Sequence, residues 1–115
     1  MRIVDADNKL GPEELHRMAA DRFGDLVKAV VDVRRRIMAV DAEMHADEEA
    51  VLLETGSDQR DLWGINLYPD LEPADFVEYD SLINLRPSQG NRSRGIENPE
   101  IRTRIRDIVD ELVVR

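Results

Sequence analysis

Apolar residues recur at helical spacing near both ends of the chain. Pro12 begins a predicted first helix with the apolar stripe Leu15, Met18, Ala19 and Phe23, and Gly24 is a natural end for it. Near the other end, Asn98 is predicted to cap a helix that has Pro99 at its first position. The apolar face of this last helix consists of Ile101, Ile105, Ile108 and Leu112.

The segment from Leu26 to Glu43 fits two patterns. Its apolar positions suit one face of a helix, but Val27, Ala29, Val31 and Val33 also alternate as in a strand. The density of valine favours strands, because β-branched side chains lose rotamer freedom in a helix and pack well on a pleated surface. We therefore predict a hairpin whose polar turn is Arg34 to Arg36.

A short helix and two strands are predicted next. Asp47 is a potential cap for a helix from Glu48 to Thr55, whose buried side consists of Val51, Leu52 and Leu53. Residues 61–68 and 76–86 have strand character, and the prolines of the intervening segment 69–73 prevent continued pairing. Trp63, Ile65 and Leu67 share one strand face, and Trp63 is expected to anchor the core.

These elements follow the order α-β-β-α-β-β-α. The order predicts an α+β fold in which helices pack on an antiparallel sheet of about four strands. The chain of 115 residues has the length of one globular domain, with residues 1–10 forming a flexible tail or an edge strand. A hydrophobic content of 42% with only 4% aromatic residues predicts an aliphatic core.

Composition excludes several classes of function. The formal net charge of −9 disfavours broad binding to nucleic acids or to anionic membranes, since both need an extended basic surface. Without cysteine there are no disulfides or thiolate ligands. The first ten residues lack the apolar segment of a signal peptide, and no apolar run is long enough to span a membrane. These features predict a cytoplasmic protein.

One basic island interrupts this acidic chain. Residues 81–96 contain three arginines and no acid. Arginines and free backbone N–H groups in a loop before a helix suit an anionic or phosphate-bearing ligand. The predicted binding residues are Arg86, Gln89, Gly90, Asn91, Arg92 and Arg94. The alternative is that these arginines pair with acids of the same chain or of a second copy in a homodimer, which is the commoner use of arginine.

A weaker pattern concerns metal binding. If residues 41–47 are extended, Asp41, Glu43 and His45 share one face and could hold a divalent metal. With the arginines, such a site would suit a metal-assisted phosphoester hydrolase. We favour the plainer interpretation of exposed polar residues, because no second histidine or thiolate completes the site. No other cofactor is predicted.

A third set of polar residues lies along the last two predicted strands. It consists of Asn66, Tyr68, Glu78, Asp80, Asn84 and Arg86. Such a face is either the floor of a pocket or a solvent-facing side with cross-strand pairs, and we favour the second interpretation.

Three segments carry a family resemblance. They read HADEEAVLLETGS, DLWGINLYP and INLRPSQGNRSR, at residues 45–57, 61–69 and 83–94. Over Pro12 to Val114 the chain resembles a small prokaryotic family that is a domain of unknown function. The resemblance implies a compact α+β domain and brings no reaction, cofactor or catalytic residue. Binding of an anionic ligand is thus our first functional hypothesis; the hydrolase and a non-catalytic homo-oligomeric interaction module are the alternatives.

Overall fold

A computed structural model describes all residues from 1 to 115. It contains a five-stranded antiparallel sheet in the order β1-β3-β2-β4-β5. The strands are β1 (Arg2–Val4), β2 (Val27–Asp32), β3 (Ile37–Val40), β4 (Leu62–Leu67) and β5 (Val77–Glu78). The helices are α1 (Pro12–Asp21), α2 (His45–Glu54) and α3 (Pro99–Leu112). The predicted α+β class is confirmed, and the beginning of the chain adds a fifth strand at one sheet edge.

Helices cover the two faces of the sheet unequally. On one face, α1 and α3 bury the main core, which includes Val31, Trp63 and Ile65. On the other face, α2 places Leu52 over Val30 and two neighbouring apolar residues. Because only one helix packs on this second face, the face is covered over only part of its length, and the part beyond the helix start is open.

The predicted hairpin is confirmed. β2 and β3 pair from Ala29↔Val40 to Asp32↔Ile37, and the three arginines form the turn. The buried carboxylate of Asp32 accepts the backbone N–H groups of Arg34 and Arg35, both at 2.9 Å. This side chain satisfies turn donors that would otherwise be unpaired, which explains how three adjacent arginines fit a tight connection.

The predicted strand 76–86 is wrong beyond its first residues. β5 contains only Val77 and Glu78, and residues 82–84 form a 3-10 turn. β5 pairs with only the last two residues of β4, and the side chain of Asn84 bonds to the edge of β4 that is left unpaired. Its Oδ1 accepts the N–H of Gly64 at 2.8 Å, and its Nδ2 donates to the carbonyl of Gly64 at 2.9 Å. An amide side chain therefore replaces the neighbouring strand here.

The helix ends correspond only in part to the prediction. Asn98 caps α3 by accepting the N–H of Glu100 at 2.9 Å, as predicted. Asp47 is not the cap of α2: the helix begins at His45 after Met44, and Asp47 lies in its first turn. On the predicted buried side of α2, Leu52 is buried whereas Leu53 is 40% exposed.

No helix combines the length and the apolar character needed to cross a membrane.

Candidate functional site

An open cleft of about 570 Å³ lies on the sheet face where α2 begins. Its floor comes from β2, β4 and β5, one wall from the start of α2, and the opposite wall from residues 80–83. The polar lining residues are Lys28, His45, Asn66, Tyr68, Glu78, Asp80, Ser81 and Arg94. The cleft thus combines side chains from distant parts of the sequence.

Three polar residues form a row across its floor. Lys28 of β2 is paired with Asn66 of β4, and Asn66 is paired with Glu78 of β5. Residues directly opposite each other in a sheet project from the same face. Lys28 and Glu78 are oppositely charged, yet neither forms an ion pair in the structure.

Asn66 has an acceptor without a donor. The residue is 94% buried, and its Nδ2 donates to Glu78 Oε1 at 2.8 Å and to the backbone carbonyl of Asp80 at 3.2 Å. These two acceptors fix the orientation of the amide, because both of its N–H bonds are used. The opposite atom, Oδ1, is buried and has no hydrogen-bond partner. A buried polar atom of this kind is uncommon and costs free energy unless something binds it.

His45 is the first residue of α2 and contributes a neutral imidazole to the cleft. Its Nε2 lies 2.8 Å from the carbonyl oxygen of Ile65 and therefore carries the proton. Burial lowers the pKa of His45, and the hydrogen bond to Ile65, the charge of Asp80 and the neighbouring Asn66 side chain oppose this shift only in part. With Nε2 as donor, Nδ1 is the acceptor.

Tyr68 and Glu78 form one end of the floor. The hydroxyl of Tyr68 donates to Glu78 Oε1 at 3.0 Å. Burial and this hydrogen bond raise the pKa of Tyr68 to about 12, so the phenol keeps its proton at neutral pH. Glu78 therefore accepts two hydrogen bonds through Oε1 while its charge remains unpaired.

The rim of the cleft is apolar. Phe23, Met44 and Leu82 line the cleft and are 41%, 58% and 66% exposed. Large apolar side chains exposed together around a polar floor are typical of ligand-binding sites. The start of α2 lies at the same rim, and no side chain caps its first turn.

Arg86, predicted as an anion-binding residue, is committed to the protein interior. Its guanidinium donates to the backbone carbonyls of Ile83 and Gln59, both at 3.0 Å, and also to that of Leu62. The same group stacks on Trp63, 4.7 Å from the ring centroid. Burial lowers the pKa of Arg86, while nearby Glu49 opposes the shift. Arg86 is thus a structural link between its loop and β4, and Trp63 is the core anchor that the sequence predicted.

Most other groups of the arginine loop are also used internally. Asn91 donates to three backbone carbonyls, and its Oδ1 accepts the N–H of Glu97 at 2.8 Å. Gln89 donates to the carbonyl of Arg60, and Gly90 adopts a positive φ of 80° at the end of a 3-10 turn. The side chain of Arg92 is exposed and forms no hydrogen bond or ion pair.

Arg94 connects this loop with the cleft. It lines the cleft, but its Nε donates to Asp80 Oδ1 at 2.8 Å. The pairing of an arginine with an acid of the same chain, the alternative interpretation of the island, is therefore observed for Arg94.

The three metal candidates do not converge. Asp41 has a positive φ of 70° and pairs with Arg22, so residues 41–45 do not form the extended segment that the hypothesis needs. Glu43 is exposed, and His45 is turned toward Ile65. No group of three histidine or acidic side chains is placed to hold a metal ion.

Part of the polar strand face, which we interpreted as a solvent-facing side with cross-strand pairs, lines the cleft. Asn66, Tyr68, Glu78 and Asp80 do line one surface, and the cross-strand pair of Asn66 with Glu78 is present. Lys28 was missed, although it interrupts the apolar run of β2. The rim residues were missed as well, because isolated exposed apolar positions carry no signal in one sequence.

The sequence matches a known family. A sequence profile for the family described as Protein of unknown function (DUF5674) matches residues 3–112. The chain belongs to this family. No curated protein and no solved structure matches it. Membership confirms the resemblance noted from the sequence, while the prokaryotic distribution stays a prediction. The family description names no reaction.

Proposed function

We propose that this member of the family is a small-molecule-binding domain and that the ligand occupies the cleft at the start of α2. The observation that carries the proposal is the unpartnered Oδ1 of the buried Asn66. The amide is fixed by its own two hydrogen bonds and cannot rotate to remove the unsatisfied acceptor without losing them. A ligand with an N–H or O–H group would supply the missing donor.

The volume and the distribution of polarity support the same conclusion. A cavity of about 570 Å³ lies within the usual range for small-molecule sites. Its apolar rim would contact the body of a ligand, and its polar floor would orient the hydrogen-bonding groups. The proposed site is the cleft and not the arginine loop, although the loop contributes Arg94 to the lining of the cleft.

Binding can be tested with four compounds that share a branched isobutyl group. These are 4-methylpentanamide, 3-methylbutylamine, leucine and 4-methylpentanoate, of which only the last has no hydrogen-bond donor at neutral pH. We expect the three donor-bearing compounds to show saturation-transfer NMR signals with the protein. Binding of the carboxylate alone, or of none of the four, would contradict the proposal.

Two alanines of α2 provide a matched pair of variants. Ala46 lines the cleft, whereas Ala50 is exposed one turn further along the helix and does not line it. Ala46→Trp should block the signals, and Ala50→Trp should preserve them. Because both alanines are exposed, the pair separates occlusion of the cleft from a general effect of the added indole. Equal loss in both variants would place the binding elsewhere.

The hydrolase, the anion-binding loop and the homo-oligomeric module have less support from the structure than the cleft. A metal-assisted hydrolase has no converging ligand set among the predicted residues. Anion binding at the arginine loop, a homo-oligomeric module and a cytoplasmic location stay predictions. Light scattering at low and high salt would test the oligomer, which requires association that weakens as salt screens the arginines.

A further inference from the structure

We infer that the ligand of the cleft is a zwitterion, a small molecule that carries both an ammonium and a carboxylate group. The inference rests on the proposed function and specifies its ligand class. Its basis is the row formed by Lys28, Asn66 and Glu78 on three neighbouring strands.

The two ends of this row carry unpaired opposite charges. Strands in a sheet are about 4.8 Å apart, so the backbones of Lys28 and Glu78 are separated by about 10 Å. Lys28 Nζ lies 5.2 Å from the centroid of the Phe23 ring and contacts no carboxylate. Glu78 receives hydrogen bonds from neutral groups only. Lys28 is half-buried and Glu78 is exposed, and both line the same cleft without an ionic partner. A ligand that carries both countercharges would form a charge-assisted contact with each of them.

Glu78 and Asn66 form the end that would bind an ammonium group. The carboxylate of Glu78 and the free Oδ1 of Asn66 are both acceptors, and an ammonium has three N–H donors. Asp80 lies on the same side, but its Oδ1 is already paired with Arg94. A cation at this end would neutralise Glu78 and satisfy Asn66 together.

Lys28 and the start of α2 form the end that would bind a carboxylate. Lys28 lines the cleft together with His45 and Ala46, the first two residues of α2. The first turn of α2 has no side-chain cap, and the positive end of its helix dipole would reinforce Lys28.

Two zwitterions test the inference at different charge separations. Leucine is compared with 3-methylbutylamine, in which hydrogen replaces the carboxylate, and 5-aminopentanoate with pentylamine, in which a methyl group replaces it. By NMR titration we expect at least one zwitterion to bind about tenfold tighter than its amine, the effect of one charge-assisted contact. If both amines bind in the cleft as tightly as their zwitterions, the inference fails while the proposed function stands. If no compound binds, both fail.

Charge variants assign the two ends. Lys28→Met should lower the affinity for the zwitterion to that for the amine and leave the affinity for the amine unchanged. Lys9→Met, at the other lysine of the chain, which is exposed, should change neither affinity. Glu78→Gln should weaken both compounds, and the exposed control Glu54→Gln should weaken neither. Equal affinity of the zwitterion for Lys28→Met and the unaltered protein would overturn the assignment of the carboxylate end.

Discussion

At the scale of single residues, Glu48 on α2 is the most unusual ionisable group. It is fully buried and forms no ion pair; its Oε2 accepts the N–H of Ala42 at 3.1 Å, and Oε1 has no partner. Burial raises the pKa of Glu48 from 4.5 to about 10, and the Ala42 hydrogen bond opposes the shift. The folded-state pKa lies above the unfolded-state value, so stability from this group is present below pH 4.5 and is lost as pH rises toward 10.

Glu48→Gln should therefore stabilise the protein at alkaline pH, because glutamine resembles the protonated acid and has no proton to lose. We expect the free energy of unfolding of this variant to exceed that of the unaltered protein by more than about 1 kcal/mol at pH 9, with a smaller difference at pH 6. Urea unfolding at the two pH values measures this. The control is Glu54→Gln at an exposed position. A difference that does not grow between pH 6 and pH 9 would show that Glu48 ionises normally.

Single residues also show where sequence reasoning ended. The arginine island could be recognised from charge alone, but the destinations of its side chains depend on distant backbone. Arg86 bonds to carbonyls of Gln59 and Leu62, more than twenty residues away in the chain. Likewise, Asn66 could be assigned to a polar strand face, whereas its unpartnered oxygen depends on where residues 78–80 lie. The sequence indicated which residues are polar or charged, but it did not indicate which atoms they bond to.

At the scale of elements, the Asn84 side chain takes the place of a neighbouring strand, and we expect its removal to lower the free energy of unfolding. Asn84→Ala removes the partners of both backbone groups of Gly64 and a further bond to the carbonyl of Arg94 at 3.0 Å. Because these groups are buried and water cannot replace the amide, we expect a loss of about 3 kcal/mol in chemical denaturation. Asn98→Ala, which removes only the cap of α3, should cost about 1 kcal/mol. Similar losses for the two variants would contradict a special role for Asn84.

The contact between β4 and residues 81–84 also requires the glycine at position 64. A Cβ atom there would lie 2.5 Å from Ser81 Cβ and 2.6 Å from Ser81 Oγ. Gly64→Ala should destabilise the protein by about 2 kcal/mol through overpacking. Adding Ser81→Gly removes both clashing atoms, so the double variant should recover part of this loss. Strict additivity in the double-mutant cycle would show that the two residues do not press on each other.

Helices and strands could be predicted where residue propensity and hydrophobic periodicity indicated the same element. The Pro12 and Asn98–Pro99 starts and the valine-rich hairpin follow from propensity and periodicity, and all are present. The strand predicted to reach Arg86 failed because a side chain, Asn84, takes the place of backbone pairing. The predicted cap of α2 failed because that helix begins two residues before Asp47 without any side-chain cap.

At the scale of the whole molecule, unequal coverage of the sheet creates the site. α1 and α3 bury one face, while α2 leaves the end of the other face open beside Lys28, Asn66 and Glu78. The sequence predicted the fold class and the helices on the sheet. The cleft depends on which strands are neighbours, and the order β1-β3-β2-β4-β5 was not predicted.

The most direct test of the account is a ¹H–¹⁵N NMR titration of the protein with leucine and with 3-methylbutylamine. We predict that the largest shift changes occur at the side-chain amide of Asn66 and at the backbone amides of His45, Ala46 and Ser81. Changes confined to residues 86–94 would return the site to the arginine loop. The absence of changes at the cleft with either compound would contradict the claim that it is a binding site.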